Sequence, residues 1–281
     1  MKYSDAKIKL EDFEKRLKKE DKAETTIKKY VNDIRIFLLW CNVKSINHIT
    51  LSVLQNYRED LISRRKVSGC NSVIISLNMF FRFYAKKENL HIKIFKTQRK
   101  SSLDSIFSME DYKKLLYKAL EMGNKRLYCI MRTLASSGMR ISELAYITVE
   151  SLFTGVCSVI NKGRVREVFI PCDVCRLLLE YCNEVGIKKG IVFCAPKNPN
   201  KMMDKSQIWR QMDMLGNLLN FPKGYVHAHS FRHFFAKQYI FQYKDVCELA
   251  DILGHSSIET TRIYTRTTMS EKKNRIEALQ L

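Results

Sequence analysis

The segment His227–Phe235, HAHSFRHFF, gathers three imidazoles and a guanidinium on a stretch otherwise aromatic or small. If a helix runs from Ser230 onward, His229 and Arg232 stand three residues apart and share one face. Phe231, Phe234 and Phe235 then turn to a core. A part-buried imidazole and guanidinium need partners, and downstream no carboxylate occurs before Asp245. A bound phosphate would meet that need, and so would a carboxylate brought in by the fold. His233 is expected to point elsewhere, as a structural hydrogen-bonding histidine, and His227 has no assigned partner.

Three more segments carry similar chemistry. In SSGMRISEL, Gly138 ends one helix and Arg140 opens the next, beside orphan N–H groups and a positive dipole end that favour an anion. A guanidinium also binds phosphate in two-pronged fashion; the plainer alternative is a surface arginine paired with Glu143. In LGHSSIETTRIYTR, Gly254 breaks a helix, His255 sits in the turn, and Tyr264 follows nine residues later. Ile263 can fill the core there, leaving Tyr264 a reachable hydroxyl among Arg262, Thr265 and Arg266. A half-buried structural tyrosine and a histidine bonded to backbone are the plain alternatives. In INKGRVREVFIP, a β-hairpin carries Lys162 at its tip, where turn lysines are ordinarily just exposed. Together these groups suit one kind of chemistry, in which cations surround a phosphodiester and neutralise its non-bridging oxygens while a tyrosine attacks.

The elements that must hold these groups are mostly helices. Ile27, Tyr30, Val31, Ile34, Phe37 and Leu38 follow the spacing of a helix with one buried face. LEDFEKRLKKE before it, and LSVLQNYREDLISRR and SVIISLNMFFRFYAKK after it, complete a four-helix bundle. KIFKTQRKSSLDS reads as a linker. The expected division is a helical domain over 1–95, a linker over 96–106 and a second, α+β domain over 107–281. The second opens with a capping-box-like Ser108 and Asp111, continues through helix RLYCIMRTLASSG, the hairpin, and helices from DVCRLLLEYCNEV to SIETTRIYTR, and ends in a short amphipathic helix, SEKKNRIEALQL. The fold class is mainly α with a small β-hairpin, without internal repeats.

Bulk composition narrows the partner. The 281 residues hold 49 Lys+Arg against 29 Asp+Glu, a net charge of +20. Such a field attracts polyanions, nucleic acid first among them, although a merely soluble basic protein or an anionic membrane surface would also fit. Residues 1–100 alone hold 23 basic and 11 acidic residues, the denser charge. No apolar run reaches the ~18 residues of a membrane span, and the first residues lack a signal-peptide core. A cytoplasmic protein is expected. Nine cysteines, odd in number and without a framework, read as reduced thiols. Cys172 and Cys175 form one CxxC with no second pair, so no metal and no cofactor are expected.

Taken in order, these residues resemble the tyrosine recombinase (phage integrase) family. SGMRISEL is similar to its first arginine motif, HSFRH to its His-x-x-Arg motif with Phe for the commoner Leu, LGHSSIETTRIY to its His-to-Tyr segment, and INKGRVREVFIP to its lysine hairpin. The resemblance covers nearly the whole chain and implies a helical core-binding domain followed by a catalytic domain, clamped in a C around duplex DNA. It implies that Tyr264 attacks the scissile phosphate to give a 3′-phosphotyrosine and a 5′-hydroxyl, that Lys162 protonates the leaving oxygen, that Arg140 and Arg232 grip the non-bridging oxygens, that His229 and His255 assist, and that Glu143 holds Arg140. Lys28, Lys29, Arg64, Arg65, Lys66 and Asn71 are candidates for reading DNA. The partners implied are double-stranded DNA with inverted-repeat core sites and three further copies of the chain in a tetramer, with the segment Arg275–Leu281 docking on a neighbour or on its own domain. The helical bundle begins near Met1, which leaves no room for an additional arm-site domain and favours an Xer-like or small mobile-element enzyme. The DNA sequence, the biological role and any accessory proteins are not legible. A strand-relaxing type IB topoisomerase and a catalytically inactive relative are the alternatives.

Overall fold

The computed structural model describes residues 4–42, 45–84, 90–96, 106–161, 163–255, 257–265 and 277–278. The chain divides into two compact units, Met1–Lys100 and Ser101–Leu281. Most of the expected linker over 96–106, and nearly all of the segment Arg275–Leu281, lie outside the described residues.

In the first unit the apolar spacings close into four helices: α1 (Ser4–Lys19), α2 (Glu24–Cys41), α3 (Leu51–Arg64) and α4 (Val67–Tyr84). Their inward faces interlock through aromatic rings. Phe13 meets Phe80 edge to face at 5.2 Å, and Phe37 meets Phe81 at 5.9 Å and Tyr57 at 4.9 Å. Such pairs add specificity to the area they bury.

Two polar residues expected to read DNA make hydrogen bonds within the fold. Lys29 donates to Asp33 Oδ2 (2.6 Å), Ser76 Oγ (3.1 Å) and the Ser72 carbonyl (3.1 Å), tying α2 to α4. Asn71 exchanges two hydrogen bonds with the Phe95 backbone, at 3.0 and 2.8 Å, and Asn78, two turns along α4, does the same with Ile92 at 2.9 Å each. A carboxamide has one donor and one acceptor side, so it substitutes for a strand partner to an extended segment. The Arg58 guanidinium covers the Phe95 ring at 3.8 Å and its Nε donates to the Lys93 carbonyl. Of the other candidates, Lys28 pairs with Glu24 and Arg64 with Asp60, both one helical turn away, and Arg65 and Lys66 are exposed.

The second unit runs α5 (Met109–Glu121), α6 (Lys125–Ser137), a 3-10 turn (Ile141–Tyr146), α7 (Val149–Thr154), the antiparallel hairpin β1 (Val156–Asn161) and β2 (Arg164–Phe169), α8 (Cys172–Glu184), a second hairpin β3 (Cys194–Ala195) and β4 (Asn198–Met202), then α9 (Lys205–Leu218), α10 (Ala228–Tyr243), α11 (Val246–Leu253) and α12 (Ile258–Thr261). The capping box forms as expected: Asp111 N donates to Ser108 Oγ, and Ser108 N to Asp111 Oδ2. The second hairpin and α9 were not expected from the sequence. The strands of that hairpin are short and half exposed, and a five-residue run such as NPNKM carries no alternation to read. Phe107, Phe231 and Phe234 form the aromatic centre of this core, with Phe107 at 4.9 Å from Phe231 and 5.2 Å from Phe234. α10, which carries the His-Arg segment, is thereby fixed on its apolar side. No helix among the described residues is long and apolar enough to cross a membrane.

Asn71→Ala removes both hydrogen bonds to Phe95 and leaves its backbone groups part-buried. Denaturant unfolding of the first unit is expected to show a loss of about 1–3 kcal/mol.

Candidate active site

Two helices of the second unit end against one side chain. α6 stops at Ser137 and α11 at Leu253, each capped by a left-handed glycine, Gly138 and Gly254, both at φ 62°. Arg232, only 1% exposed on α10, donates Nη1 to the Gly138 carbonyl at 2.7 Å and Nη2 to the Leu253 carbonyl at 2.6 Å. Helix C-termini carry partial negative charge, so both ends stabilise the buried guanidinium. Each glycine is needed for space as well as for its φ. A Cβ at Gly138 would lie 2.4 Å from Phe235 Cδ1, and one at Gly254 would lie 2.6 Å from Arg166 Cδ. The partner that sequence left open for Arg232 is therefore backbone carbonyl.

Arg140 opens the 3-10 turn, and its backbone N donates to Glu143 Oε2 at 2.7 Å. Its guanidinium donates to Glu143 Oε1 at 2.9 Å and to the Gly254 carbonyl at 3.3 Å. The Arg140–Glu143 pair is thus present, but Glu143 is 2% exposed and shared. Arg166 on β2 donates Nη2 to Glu143 Oε2 at 2.7 Å and Nη1 to the Ile252 carbonyl at 2.6 Å. Its Nε is buried without a partner among the described residues. Arg166 was not among the residues expected at the site. The hairpin register, with Val159 opposite Arg166, sends Arg166 inward with Val168 and leaves Val165 and Phe169 exposed, against what hydrophobicity alone would choose. Three guanidiniums meet here, and Glu143 is the one carboxylate hydrogen-bonded to them among the described residues.

The histidines sit in the field of these arginines. His255 Nδ1 lies 2.8 Å from Thr261 Oγ1, and burial followed by the charges of Arg232 and Arg140 pushes its pKa down to about 4. His229 reaches the surface on α10, and partial burial, then Arg232, His227 and Arg140, hold its pKa below the ordinary histidine value. His227 is partnered after all. Ser230 Oγ donates to the Tyr225 carbonyl at 2.7 Å, so its lone pair receives the Nδ1–H of His227, 2.5 Å away.

Tyr264 departs from expectation. Its ring belongs to the core and the residue is 7% exposed, whereas Ile263 is only partly buried. Thr261 and Tyr264, three residues apart, fall on the same inward side of the short helix and the 3-10 turn that follows it. Burial lifts the phenol to about 12, offset in part by the nearby charge of Arg232. The hydroxyl lies 2.5 Å from His233 Nδ1. His233 therefore does not point elsewhere; its ring also meets His229 edge to face at 4.3 Å. Lys162 lies outside the described residues, between strands that are described on both sides. Among the described residues no group of His, Cys, Asp and Glu could hold a metal, and of the CxxC pair Cys172 is exposed while Cys175 is buried.

Comparison with known proteins shows the family. Residues 106–271 match the phage integrase family, and residues 10–94 match the N-terminal SAM-like domain of phage integrases. The chain belongs to the phage integrase family. It is 27% identical to the TnP I resolvase of Bacillus thuringiensis, across 95% of this chain and 98% of the relative. It is 25% identical to the tyrosine recombinase XerA of Thermococcus kodakarensis, across 97% and 95%. Its fold is similar to that of the Tn1549 transposon integrase solved with transposon right end DNA, with a TM-score of 0.74 at 15% identity over 97% of this chain and 99% of that one.

In this integrase-family site the charge balance and the histidines set two measurable properties. Glu143→Gln leaves Arg140 and Arg166 facing each other without a counter-charge, and urea unfolding is expected to show a loss of about 3–5 kcal/mol. His233 and His255 both titrate near 4 when folded, well below the ordinary histidine value of 6.5. Between those values the unfolded chain binds protons that the folded chain refuses, so their contribution to stability is complete above pH 6.5 and declines as pH falls toward 4. The urea midpoint should drop across that window, and less steeply in His255→Asn.

Proposed function

We propose that this chain is a site-specific DNA recombinase that cuts and rejoins duplex DNA through a covalent 3′-phosphotyrosine. The observation that carries the reading is a cluster of three guanidiniums, Arg140 and Arg166 sharing one carboxylate and Arg232 held by two carbonyls, with the Tyr264 hydroxyl in the field of Arg232. Such an excess of buried positive charge is costly unless an anion enters, and a phosphodiester is an anion of the right size. A guanidinium has five N–H donors. Arg140 and Arg232 each spend two on protein acceptors and keep three for non-bridging oxygens.

In the reaction the Tyr264 oxygen bonds to phosphorus, the bond to the 5′-oxygen breaks, and that oxygen takes a proton from Lys162. Arg140 and Arg232 stabilise the charge that builds on the phosphoryl oxygens, His229 and His255 hydrogen-bond the same group, and Glu143 with Arg166 fixes Arg140. The phosphotyrosine keeps the energy of the broken bond, so a second 5′-hydroxyl reverses the step without ATP. Because Tyr264 is buried in the DNA-free chain, binding of the duplex must open a path for the scissile phosphate to its hydroxyl while the contact with His233 is kept. The first unit, rich in surface lysine and arginine, adds phosphate contacts. Four protomers on two inverted-repeat sites, acting in the cytoplasm, complete the reading. Nothing in the family match favours a strand-relaxing topoisomerase.

The test uses duplexes enriched by the purified protein from a random-sequence pool and then nicked beside the candidate scissile phosphate, so that cleavage traps the covalent species. The wild type is expected to form a protein–DNA adduct that resists denaturant, and Tyr264→Phe to form none while binding the same duplex. An adduct that survives Tyr264→Phe refutes the assignment.

A further inference from the structure

His233 lies outside the set of residues assigned above, yet among the described residues its Nδ1 is the side-chain atom that meets the Tyr264 hydroxyl, at 2.5 Å. A phenol lifted to about 12 by burial is a poor nucleophile until its proton has somewhere to go. The two histidines that the family resemblance points to are placed differently. His255 Nδ1 is engaged with Thr261 Oγ1, and His229 meets the His233 ring, not the phenol.

We propose that His233 is the proton acceptor for Tyr264. As the Tyr264 oxygen bonds to phosphorus and the P–O5′ bond breaks, the phenolic proton passes to His233 Nδ1, and Lys162 supplies the proton that leaves on the 5′-oxygen. His233 ends as imidazolium and Lys162 as amine, and rejoining returns both protons. The inference deepens the recombinase reading above and rests on it.

Three features support this role. First, α10 fixes the acceptor: His233 follows Arg232, whose guanidinium is clamped by two carbonyls, so the ring cannot swing far from Tyr264. Second, the groups facing His233 are His229, His227, Arg232, His255 and Tyr264, and burial with those neighbours keeps the imidazole neutral above pH of about 4. A neutral ring with its proton on Nε2 presents a lone pair at Nδ1, as an acceptor must. Third, the phosphodiester brings a negative charge beside Arg232. That cancels part of the field disfavouring an imidazolium, so the base strengthens when the substrate arrives.

Two experiments bear on the proposal. In the DNA-free protein, nitrogen-15 spectra of the histidines are expected to show His233 with its proton on Nε2 and an Nδ1 resonance that moves in Tyr264→Phe. A proton resident on Nδ1 overturns the proposal, whatever the outcome with DNA. In single-turnover cleavage of the nicked duplex, His233→Ala is expected to slow adduct formation at least about a hundredfold with duplex binding unchanged. Added imidazole, filling the vacated space, should restore part of the rate. His233→Asn, which can accept a hydrogen bond but not hold a proton, should be as slow as His233→Ala and serves if the alanine variant folds poorly. Rates within about threefold of wild type in both variants, or a loss that imidazole does not relieve, overturn the proposal and leave His233 a packing residue. Those results are distinct from failure of the recombinase reading, in which wild type itself forms no adduct.

Discussion

The second unit is organised around a buried cation that has no carboxylate of its own. Arg232 is held by the carbonyl ends of α6 and α11, which converge on it from segments more than a hundred residues apart. Both helices can deliver those carbonyls only because each is stopped by a left-handed glycine, and at both positions a side chain would collide with Phe235 or Arg166. Helix length, cap and guanidinium are therefore one constraint. Shortening either helix by a turn would withdraw one carbonyl by about 5 Å and strand a buried charge.

The same constraint explains the electrostatics around it. Carbonyl dipoles satisfy the hydrogen bonds of Arg232 without neutralising it, so its full charge acts on its neighbours. Burial, followed by the charge of Arg140, lowers its own pKa to about 10; burial, with the Arg232 charge adding to it, holds His255 and His233 at about 4. A carboxylate partner would have cancelled that part of the field. The one carboxylate hydrogen-bonded among the described arginines of the site, Glu143, is spent on Arg140 and Arg166. The site is left with excess positive charge beside two part-buried, neutral histidines.

Much of this was legible in the sequence. The helices of the first unit follow from apolar spacing, the stops at Gly138 and Gly254 from glycine in polar surroundings, and the face shared by His229 and Arg232 from their separation. What escaped detection shares a physical cause: it depends on which side of an element a polar residue faces, and on partners distant in the chain. Arg166 was invisible because Val165 and Phe169 make the opposite face of its strand look like the buried one. His233 was placed away from the chemistry, although it stands one turn from His229, because its partner lies 31 residues later. Lys29 and Asn71 resembled DNA-reading residues because a lysine bound to Asp33 and an asparagine bound to a backbone are indistinguishable, in sequence, from exposed ones.

Tyr264 shows why burial and reactivity are compatible here. An exposed phenol beside three guanidiniums would be poised to attack whatever phosphate drifted in. Sealed in the core with its hydroxyl on His233, it is held back from chance phosphates. Tyr264 stands on a single 3-10 turn, in contrast to the sixteen-residue helix that carries Arg232 and His233. The long helix thus carries Arg232 and His233, and the short turn carries the tyrosine. The shorter element is the less strongly held part, which is where a small binding energy can change geometry without disturbing the charge arrangement on which the core depends.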